Sequence, residues 1–509
     1  MTPTRNQKLV IVGGGTAGWI TAAAFAKLLG TSLDIELVES EAIGTVGVGE
    51  ATIPQIIRLN AILGLDEADF LKHTYGTFKL GIEFVDWGRK GDSYLHTFGD
   101  TGLNLANVPF HHYWRRHAAS RADAPGLWHY SLHQQAANEA RFAHMEKVGN
   151  TAMTGLAYAY HFDASLYAQY LRRYSEARGV TRTEGIVESV QRDGESGDII
   201  AITLDGGHPV AGDFFIDCTG FRALLLGQEL GVGYQDWSKW LPCNRAQAVP
   251  SERLETLVPF TRATARTAGW QWRIPLQHRT GNGHVYSNDF LSDDDAAAML
   301  MDNLPSKALA DPRPIRFTTG RREQFWSHNC AAIGLSCGFL EPLESTSIHL
   351  IQAHVNRLIQ LFPRNGDAAA ERAEYNQRCA AEFEQIRDFL ILHYHRTERE
   401  DTDFWRYCKH MDVPDSLTHK LELFASSGRL GRDADDLFRE ASWVQVMHGQ
   451  GITPASYDPM ADQLTDTQLD EFLGNLRKIV ERAVANLPKH EDYIARHCTA
   501  PVDAAAAAA

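Results

Sequence analysis

The segment Gly13-Gly14-Gly15-Thr16-Ala17-Gly18 decides the fold of this chain. It follows Lys8 to Val12, a short apolar run typical of a buried strand, and it precedes Trp19 to Leu29, which is predicted to be a helix. A second strand is predicted at Asp34 to Glu39, so the chain opens with a strand, a helix and a strand. The pattern G-x-G-x-x-G between a strand and a helix is the fingerprint of a dinucleotide-binding turn.

Each glycine of this turn has a physical reason. Gly13 makes the tight turn, Gly15 lets a pyrophosphate approach the backbone, and Gly18 lets the helix pack closely on the strand. The N–H groups at the helix start are donors for an anion. Glu39 lies 26 residues after Gly13 (39 − 13), at the end of the second strand, where an acid binds a ribose hydroxyl. The fingerprint alone does not distinguish NAD from FAD.

The whole-chain composition excludes several classes of function. Asp plus Glu (64) exceed Lys plus Arg (49), giving a net charge of −15, which argues against a nucleic-acid interface. The N-terminus lacks the pattern of a secretory signal, and no apolar run is long enough to span a bilayer. Seven scattered cysteines without C-x-x-C suit reduced thiols rather than disulfides or a zinc site. We therefore expect a cytoplasmic protein without a metal site or a membrane partner.

Segment patterns predict two kinds of architecture along the 509 residues. Short β-rich segments alternate with turn signals in the middle of the chain, at Gly185 to Gln191, Asp198 to Leu204 and Phe214 to Asp217. Helical spacing dominates after about Asn356, with long helices predicted at Ala368 to His395 and Leu464 to Ala485.

From these patterns we predict an α/β cofactor body at residues 1–355, with substrate-lining segments inserted near 76–120. A mostly helical, substrate-side part follows at 356–499, and residues 500–509 are a low-complexity tail.

The hexapeptide Trp270-Gln271-Trp272-Arg273-Ile274-Pro275 is the most specific motif of the chain. Tryptophans two positions apart point to one face of an extended segment, and the Ile-Pro that follows ends further pairing. Such a pair could simply fill a core. Beside the dinucleotide fingerprint, however, the hexapeptide resembles the W-x-W-x-I-P signature of flavin-dependent halogenases of the tryptophan-halogenase type.

This resemblance implies that the dinucleotide is FAD. The segment Phe214 to Gly220 looks like the second strand-end turn of FAD monooxygenases, and Gly47 to Pro54 resembles the flavin-contacting loop of the halogenases. The implied fold is an FAD-binding, Rossmann-like monooxygenase-type body with mixed sheets and a mostly helical C-terminal part. One fingerprint is visible, so a separate flavin reductase is expected to supply FADH2. The implied cofactor-binding residues are Gly13, Gly15, Thr16, Ala17, Gly18, Glu39, Glu50, Ala51, Val187, Leu335 and Ile348.

The resemblance also implies two catalytic residues. On composition alone, Lys79 between apolar neighbours is typical of a surface lysine whose stem covers apolar groups. The stretch from Phe78 to Trp87, however, matches the catalytic-lysine region of the family in order and spacing. Lys79 is therefore expected to be buried at the end of a tunnel, where it receives the oxidised halogen. In the second segment, Gly338 to Ser347, Glu344 is the implied catalytic carboxylate.

The segment Gly338 to Ser347 also reads as a turn in which a Ser or Thr caps a helix that begins at Ile348. A helix start with free N–H groups is an anion site. The resemblance places the halide, chloride or bromide, on the amides of Thr346 and Ser347. Glycine often follows the threonine in the family, whereas this chain has Ser347.

The implied reaction divides the work between cofactor and side chains. Reduced FAD and oxygen give a flavin hydroperoxide, which the halide attacks to form hypohalous acid. Lys79 holds or carries the electrophilic halogen, and Glu344 stabilises the cationic arene and accepts its proton. The chain is thus expected to be an FAD-dependent aromatic halogenase.

The substrate residues are less sharply defined. His96 and Phe98, in a segment that matches the family's pocket lining, either sandwich an aromatic ring or form a core cluster. Trp270, Trp272 and Pro275 are implied to separate substrate from flavin. Relatives that act on free tryptophan carry a Tyr-Tyr pair in the C-terminal region. Residues 424–443 here contain no tyrosine, and only Trp443 matches that pattern.

We therefore expect a bare indole, another electron-rich arene or a larger molecule as the small aromatic substrate, and a homodimer stays open. Two other functions are kept as alternatives. An FAD monooxygenase would hydroxylate its substrate, and a flavin-binding carrier or regulator would not turn over. The mass of the product with bromide distinguishes all three.

Overall fold

The structure is a computed structural model that describes residues 6–43, 49–105, 107–363, 368–431 and 436–501. Within these ranges the strands are β1 (Gln7–Val12), β2 (Leu33–Glu39), β3 (Gly49–Ala51), β4 (Thr77–Lys79), β5 (Gly81–Val85), β6 (Ser93–Thr97), β7 (Ala159–Asp163), β8 (Thr181–Glu184), β9 (Val187–Arg192), β10 (Ile199–Leu204), β11 (His208–Ala211), β12 (Phe214–Asp217), β13 (Tyr234–Asp236), β14 (Arg245–Glu252), β15 (Thr261–Arg266), β16 (Gly269–Pro275), β17 (Arg279–Tyr286), β18 (Arg313–Arg316), β19 (Gly320–Arg322), β20 (Trp326–Ser327), β21 (Cys330–Ala332) and β22 (Gly338–Phe339).

The helices in the same ranges are α1 (Thr16–Leu29), α2 (Gln55–Leu63), α3 (Glu67–His73), α4 (Phe110–Ser120), α5 (Leu132–Asn138), α6 (Ala164–Glu176), α7 (Asp293–Asp302), α8 (Ser347–Gln360), α9 (Ala369–His395), α10 (Asp403–His410), α11 (Asp415–Ser427), α12 (Glu440–Gly449), α13 (Asp466–Ala485) and α14 (His490–His497).

The chain forms two compact units, each built from three separate segments. The first unit contains residues 1–76, 162–238 and 316–384, and the second contains residues 77–161, 239–315 and 385–509. The division predicted from composition, after residues 355 and 499, is contiguous in sequence and remains a prediction. Most of the predicted tail, residues 502–509, lies outside the described residues.

The main sheet of the first unit has the strand order β20-β21-β12-β1-β2-β8. Its strands are parallel except for the edge strand β20. The central strand β1 carries Leu9 to Val12, all buried, because a parallel strand with both faces covered needs a continuous apolar run. The small antiparallel sheet β11-β10-β9 adds a core cluster that includes Val12, Val38, Ile202 and Phe215.

A mixed sheet dominates the second unit. Its seven strands run in the order β18-β14-β17-β16-β15-β5-β6. The strands β5 and β15 are parallel, and the other neighbours from β14 to β6 are antiparallel. The strand β16 holds the tryptophan pair and is hydrogen-bonded on both sides, so both rings are fixed by a central strand. As predicted, the pairing of β16 ends at Pro275, opposite Thr280.

These elements confirm the predicted α/β fold with mixed sheets and a mostly helical C-terminal part. The predicted strands Lys8 to Val12, Asp34 to Glu39 and Phe214 to Asp217 are present, and the long helix predicted at Ala368 to His395 is α9. After β22, the regular elements in the described part of the chain are helices. All seven cysteines of the chain are among the described residues, and each is buried and free of a disulfide bond.

The packing of Trp272 on Gly283 predicts a stability defect. A Cβ at position 283 would lie 2.0 Å from the Trp272 ring, so Gly283→Ala has to displace the indole from a fully paired strand. We expect Gly283→Ala to lower the free energy of unfolding by about 1–3 kcal/mol, which is the usual cost of overpacking. The midpoint of thermal unfolding measures this.

Gly474→Ala is the matched control. Gly474 lies in α13, and a Cβ there meets no atom within 4 Å. Since alanine is the better helix former, this variant should unfold at the same or a higher temperature. Equal midpoints for the two variants would contradict the packing argument.

Candidate active site

The glycine turn of the first unit leaves an open space in front of α1. Gly13 has a φ of 113°, and a Cβ there would lie 2.3 Å from the Cys218 carbonyl oxygen. A Cβ at Gly18 would lie 1.8 Å from the Gly13 carbonyl oxygen. A Cβ at Gly15, in contrast, would meet no protein atom within 4 Å. Two glycines are thus required by protein contacts, whereas the third faces space that a ligand can fill.

Glu39 closes one side of this turn. Its carboxylate lies over Gly14, since a Cβ there would be 1.5 Å from Oε2. It accepts hydrogen bonds from Arg182 Nε at 2.6 Å and from Trp19 Nε1 at 3.4 Å. A carboxylate has about four acceptor positions, so Glu39 retains capacity for ribose hydroxyls. The structure therefore brings Glu39 to the turn, at the end of β2.

A second chain segment meets the turn at Ala17. A Cβ on Gly334 would lie 2.8 Å from the Ala17 Cβ, and the φ of Gly334 is 75°. This places the short 3₁₀ helix Gly334–Ser336, with the predicted cofactor residue Leu335, beside the start of α1. Asp217 fixes the same helix, because its buried carboxylate accepts a hydrogen bond from Ser336 Oγ at 3.1 Å.

Asp217 also organises the turn that follows β12. Besides Ser336, it accepts hydrogen bonds from Thr219 N and Oγ1, and from the backbone N–H groups of Leu225 and Leu226 at 2.8 and 2.9 Å. The predicted second strand-end turn is therefore a rigid element. Sequence reasoning located this turn but missed the role of Asp217, whose bond to Ser336 spans 119 positions.

The start of α8 leaves its first N–H groups without a capping side chain. Thr346 occupies the predicted N-cap position, yet its side chain makes no capping hydrogen bond, and α8 begins at Ser347 rather than Ile348. The Thr346 Oγ1 atom is buried and has no hydrogen-bond partner among the described residues. Uncapped N–H groups at a helix start favour an anion.

Glu344 precedes this helix start and is 1% exposed. Ser345, which follows it, has a φ of 58°, a left-handed conformation uncommon outside glycine. This turn fixes the direction in which the chain enters α8. The predicted cofactor residue Ile348 lies in the first turn of α8 and is also buried.

The remaining predicted cofactor residues lie on strands of the first unit. Glu50 and Ala51 are in β3, and the preceding Gly47 and Val48 fall outside the described residues. Burial, followed by the charge of Asp163, raises the pKa of Glu50 to about 7. Val187 begins β9 and packs against the core cluster that contains Val12 and Val38.

Lys79, in the second unit, is fully buried as predicted. It ends β4, has no exposed surface, and its Nζ lies 5.2 Å from the centroid of the Phe98 ring. A cation at this distance from an aromatic face is attracted by the ring quadrupole. Phe98 is partly exposed, and the predicted lysine therefore lies beside one predicted substrate residue that is not fully enclosed.

The tryptophan pair lies on β16 of the mixed sheet, whereas Lys79 lies on β4, which pairs with β7. The centroids of the Trp270 and Trp272 rings are 6.1 Å apart, and Trp270 also packs on Trp87 at 6.4 Å. Trp272 Nε1 is buried and has no hydrogen-bond partner in the described ranges. The carbonyl of Pro275 accepts a hydrogen bond from Thr77 Oγ1 at 2.7 Å, which ties the end of β16 to β4.

His96 and Trp443 join one aromatic cluster, together with two phenylalanines that sequence reasoning missed. The His96 ring lies 5.6 Å from Phe389 and 6.2 Å from Phe438. Phe389 stacks on Phe438 at 3.9 Å and meets Trp443 edge-on at 4.9 Å. Neither phenylalanine lies in a motif, and only the folded second unit reveals them.

A cavity of about 370 Å³ opens beside this cluster within the second unit. Trp443 lines it, is 4% exposed, and has an indole Nε1 without a hydrogen-bond partner among the described residues. Lys420 lies over the Trp443 ring at 4.9 Å and pairs with Asp436 at 3.0 Å. Further lining residues are Asp100, Thr101, Phe110 and Phe438. The cavity thus combines apolar walls with polar groups, as small-molecule sites do.

Comparison with known proteins decides the family. The family model described as tryptophan halogenase matches residues 8–466. The chain belongs to the tryptophan halogenase family. A tryptophan 6-halogenase of Streptomyces toxytricini is 39% identical over 441 residues, covering 82% of this chain and 84% of that protein.

Solved structures agree with this assignment. A flavin-dependent halogenase from Xanthomonas campestris has a TM-score of 0.95 at 51% identity, covering 98% of this chain and 100% of the other. A second one, from Brevundimonas sp. BAL3, has a TM-score of 0.93 at 45% identity, with the same coverage. The predicted monooxygenase-type flavoprotein fold and the enzyme class are confirmed: this halogenase uses FAD, and chloride or bromide is its halide.

The glycine turn, Glu39 and the Gly334–Ser336 helix fit FAD, because the space before Gly15 is bounded by N–H donors and an acidic acceptor. In the described ranges, no helix is long and apolar enough to cross a membrane.

The open space at Gly15 predicts a variant that loses FAD without losing stability. Gly15 has φ −74° and ψ −172°, which alanine adopts readily, and its Cβ would meet no protein atom. A methyl group there would occupy the place of the pyrophosphate, so we expect Gly15→Ala to weaken FAD binding at least about tenfold, or about 1.4 kcal/mol. Flavin fluorescence titration measures the affinity, and thermal unfolding of the FAD-free protein measures the stability.

Gly18→Ala is the contrasting variant, because its Cβ would clash with the Gly13 carbonyl and destabilise the FAD-free protein itself. Unchanged FAD affinity in Gly15→Ala would show that the pyrophosphate does not pass this point.

The raised pKa of Glu50 predicts a pH-dependent stability. Between about pH 4.5 and 7 the unfolded chain releases the Glu50 proton while the folded protein keeps it, so the free energy of unfolding falls as pH rises. Glu50→Gln removes this loss and should gain stability over the parent by on the order of 2 kcal/mol at pH 8, but little at pH 4.5. Thermal unfolding of the FAD-free proteins across this range checks it, and a gain that is independent of pH would contradict it.

Proposed function

We propose that this halogenase transfers an oxidised halogen to an electron-rich, indole-type aromatic substrate, with Lys79 and Glu344 as its catalytic residues. The observation that carries the proposal is the complete burial of Lys79 beside the ring of the partly exposed Phe98. A lysine is rarely buried without a chemical or structural task. Here it lies on β4, whose Thr77 donates a hydrogen bond to the Pro275 carbonyl at the end of the strand that holds the tryptophan pair of the family motif.

In the proposed reaction, bound FAD in its reduced form, together with oxygen, supplies the oxidising equivalent that converts halide to hypohalous acid. Lys79 either holds this acid by a hydrogen bond or reacts with it. In the second case the lysine nitrogen takes the halogen as a haloamine, and water is released. The aromatic carbon then takes the halogen and releases one proton, and water is the second product. Glu344, a buried carboxylate, stabilises the cationic ring and accepts this proton.

The halide is proposed to bind at the start of α8. The absence of a capping side chain leaves the amides of Thr346 and Ser347 available to an anion. The replacement of glycine by Ser347 keeps the N–H group. Trp270, Trp272 and Pro275 are proposed to separate substrate from flavin, and a separate reductase to supply FADH2. A homodimer and a cytoplasmic location remain predictions.

The substrate is proposed to be an indole without the amino-acid group of tryptophan, or a larger indole-containing molecule. His96 and Phe98 are proposed to stack on its ring, and the 370 Å³ cavity at Trp443 offers room for a substituent. Free tryptophan is the second candidate, because curated relatives are tryptophan halogenases. The lack of tyrosine in residues 424–443 argues against a clamp of the Tyr-Tyr type.

A substrate panel tests this choice. The panel contains indole, tryptophan and indoles with larger substituents. Each is incubated with reductase, FAD, oxygen and bromide, and mass spectrometry identifies the products. We expect monobrominated indoles to dominate and tryptophan to be converted at least about tenfold more slowly, since it gains no clamp contacts. Preferred bromination of tryptophan would overturn the substrate proposal, and a gain of oxygen instead of bromine would overturn the reaction.

Removal of the Lys79 ammonium tests the catalytic proposal. We expect Lys79→Met, which keeps much of the side-chain volume, to lower bromination of indole by on the order of 10³-fold, within the range for loss of a catalytic group. Reoxidation of reduced flavin should continue at the parent rate, because that step precedes the lysine. Lys72→Met, at an exposed lysine of α3, is the control and should keep full activity. Retained bromination in Lys79→Met would remove Lys79 from the mechanism.

A further inference from the structure

A buried histidine that the mechanism does not use lies beside the lysine strand. His161 is on β7, has no exposed surface, and is paired with Thr77 in the register of β4 and β7. Thr77 and Lys79 are two positions apart on β4, so their side chains point to the same face. The charge of Lys79 acts on His161 across this face and, after burial itself, lowers the pKa of the imidazole well below its usual value.

The hydrogen bonds of His161 determine where its proton is. Thr77 has one hydroxyl proton, and it donates this proton to the Pro275 carbonyl at 2.7 Å. The Thr77 oxygen must therefore accept the 3.0 Å hydrogen bond from His161 Nδ1, which carries the hydrogen. In the neutral ring Nε2 is then bare, and it accepts a hydrogen bond from Thr261 Oγ1 at 2.9 Å.

The result is a directed chain of hydrogen bonds from Thr261 through His161 and Thr77 to Pro275, which we call the histidine relay. It joins residues of β15, β7, β4 and the end of β16, and these four residues all belong to the second unit. Its member on β4 is Thr77, on the face that carries Lys79. All four residues of the relay are buried, so water does not compete for these bonds.

We propose that His161 is a positioning residue for Lys79: through Thr77 it fixes the lysine side of β4 against the Pro275 end of β16, so that the oxidised halogen is delivered to the substrate rather than lost. This inference rests on the role proposed for Lys79. It assigns no proton transfer to His161. The neutral ring also spares Lys79 a second positive charge in a buried site, where two like charges are costly.

Two matched pairs of variants test the relay. Thr77→Val removes the hydroxyl at nearly constant volume, whereas Thr77→Ser keeps it. The amide nitrogen of Asn overlaps Nδ1 of a histidine and can still donate to Thr77, whereas the amide of Gln overlaps Nε2 and reaches only Thr261. We therefore expect Thr77→Ser and His161→Asn to keep the delivery of halogen to the substrate. Thr77→Val and His161→Gln should lose it.

The measured quantity is the fraction of the hypobromous acid that reaches the substrate. Brominated indole is measured against free hypobromous acid, which an added thioether traps as its sulfoxide, with catalase present to remove hydrogen peroxide. In Thr77→Val and His161→Gln the ratio of product to trapped oxidant should fall about tenfold, the effect of losing one buried hydrogen bond. FAD affinity and flavin reoxidation should stay at parent values. A merely structural role would lower stability and FAD binding and leave the ratio unchanged.

Comparison with Lys79→Met separates this inference from the function on which it rests. If Lys79→Met brominates normally, the proposed function fails. If Lys79→Met fails while Thr77→Val and His161→Gln keep the parent ratio, the relay fails and the function stands. If the relay acts through the lysine, Thr77→Val should change the ratio no further in a Lys79→Met background. Should His161→Gln not fold, the Thr77 pair still decides.

Discussion

The burial of the Lys79 side chain is the constraint around which the second unit is arranged. An ammonium group without contact to bulk water is costly unless its surroundings compensate it. Here Phe98 offers the negative face of its ring, and burial together with the charge of Lys79 lowers the pKa of His161, so that this histidine stays uncharged. On the opposite face of β4 the Phe78 ring stacks on Phe142. The backbone N–H of Phe78 also donates a hydrogen bond to His490 Nε2. Segments from distant parts of the chain must therefore pack against the three residues of β4, Thr77 to Lys79.

The first unit solves a different problem, the close approach of backbone to a charged cofactor. Its glycine turn, the Asp217 network and the Gly334–Ser336 helix bring three remote segments to the end of β1. These contacts are made by backbone groups and small side chains, which leaves room for a large ligand. Rigid backbone suits the binding of FAD, whereas the aromatic surfaces of the second unit suit an arene.

Local patterns explain what could be predicted. The opening strand, helix and strand, β12 and α9 follow from short-range periodicity and glycine spacing, and the structure confirms them. The burial of Lys79 could not be read from its neighbours, and only the family motif indicated it. The contacts of His161 with Thr77 and Thr261 span 84 and 100 positions, so no local pattern encodes them. A Ser or Thr is predicted to cap the helix after Glu344, but Thr346 Oγ1 is buried and makes no hydrogen bond to any described residue, and Ser345 before it has a left-handed backbone.

The alternation of the two units along the chain has a consequence for biosynthesis. The chain passes from one unit to the other five times, and the last segment of the first unit ends at residue 384. A ribosome must therefore synthesise about three quarters of the protein before the first unit, which contains the glycine turn at residue 13, is complete. Neither unit corresponds to a contiguous fragment that could be expressed alone. For the same reason, a stop codon or frameshift before residue 384 removes part of both units. One between residue 385 and the final helices removes part of the C-terminal segment of the second unit.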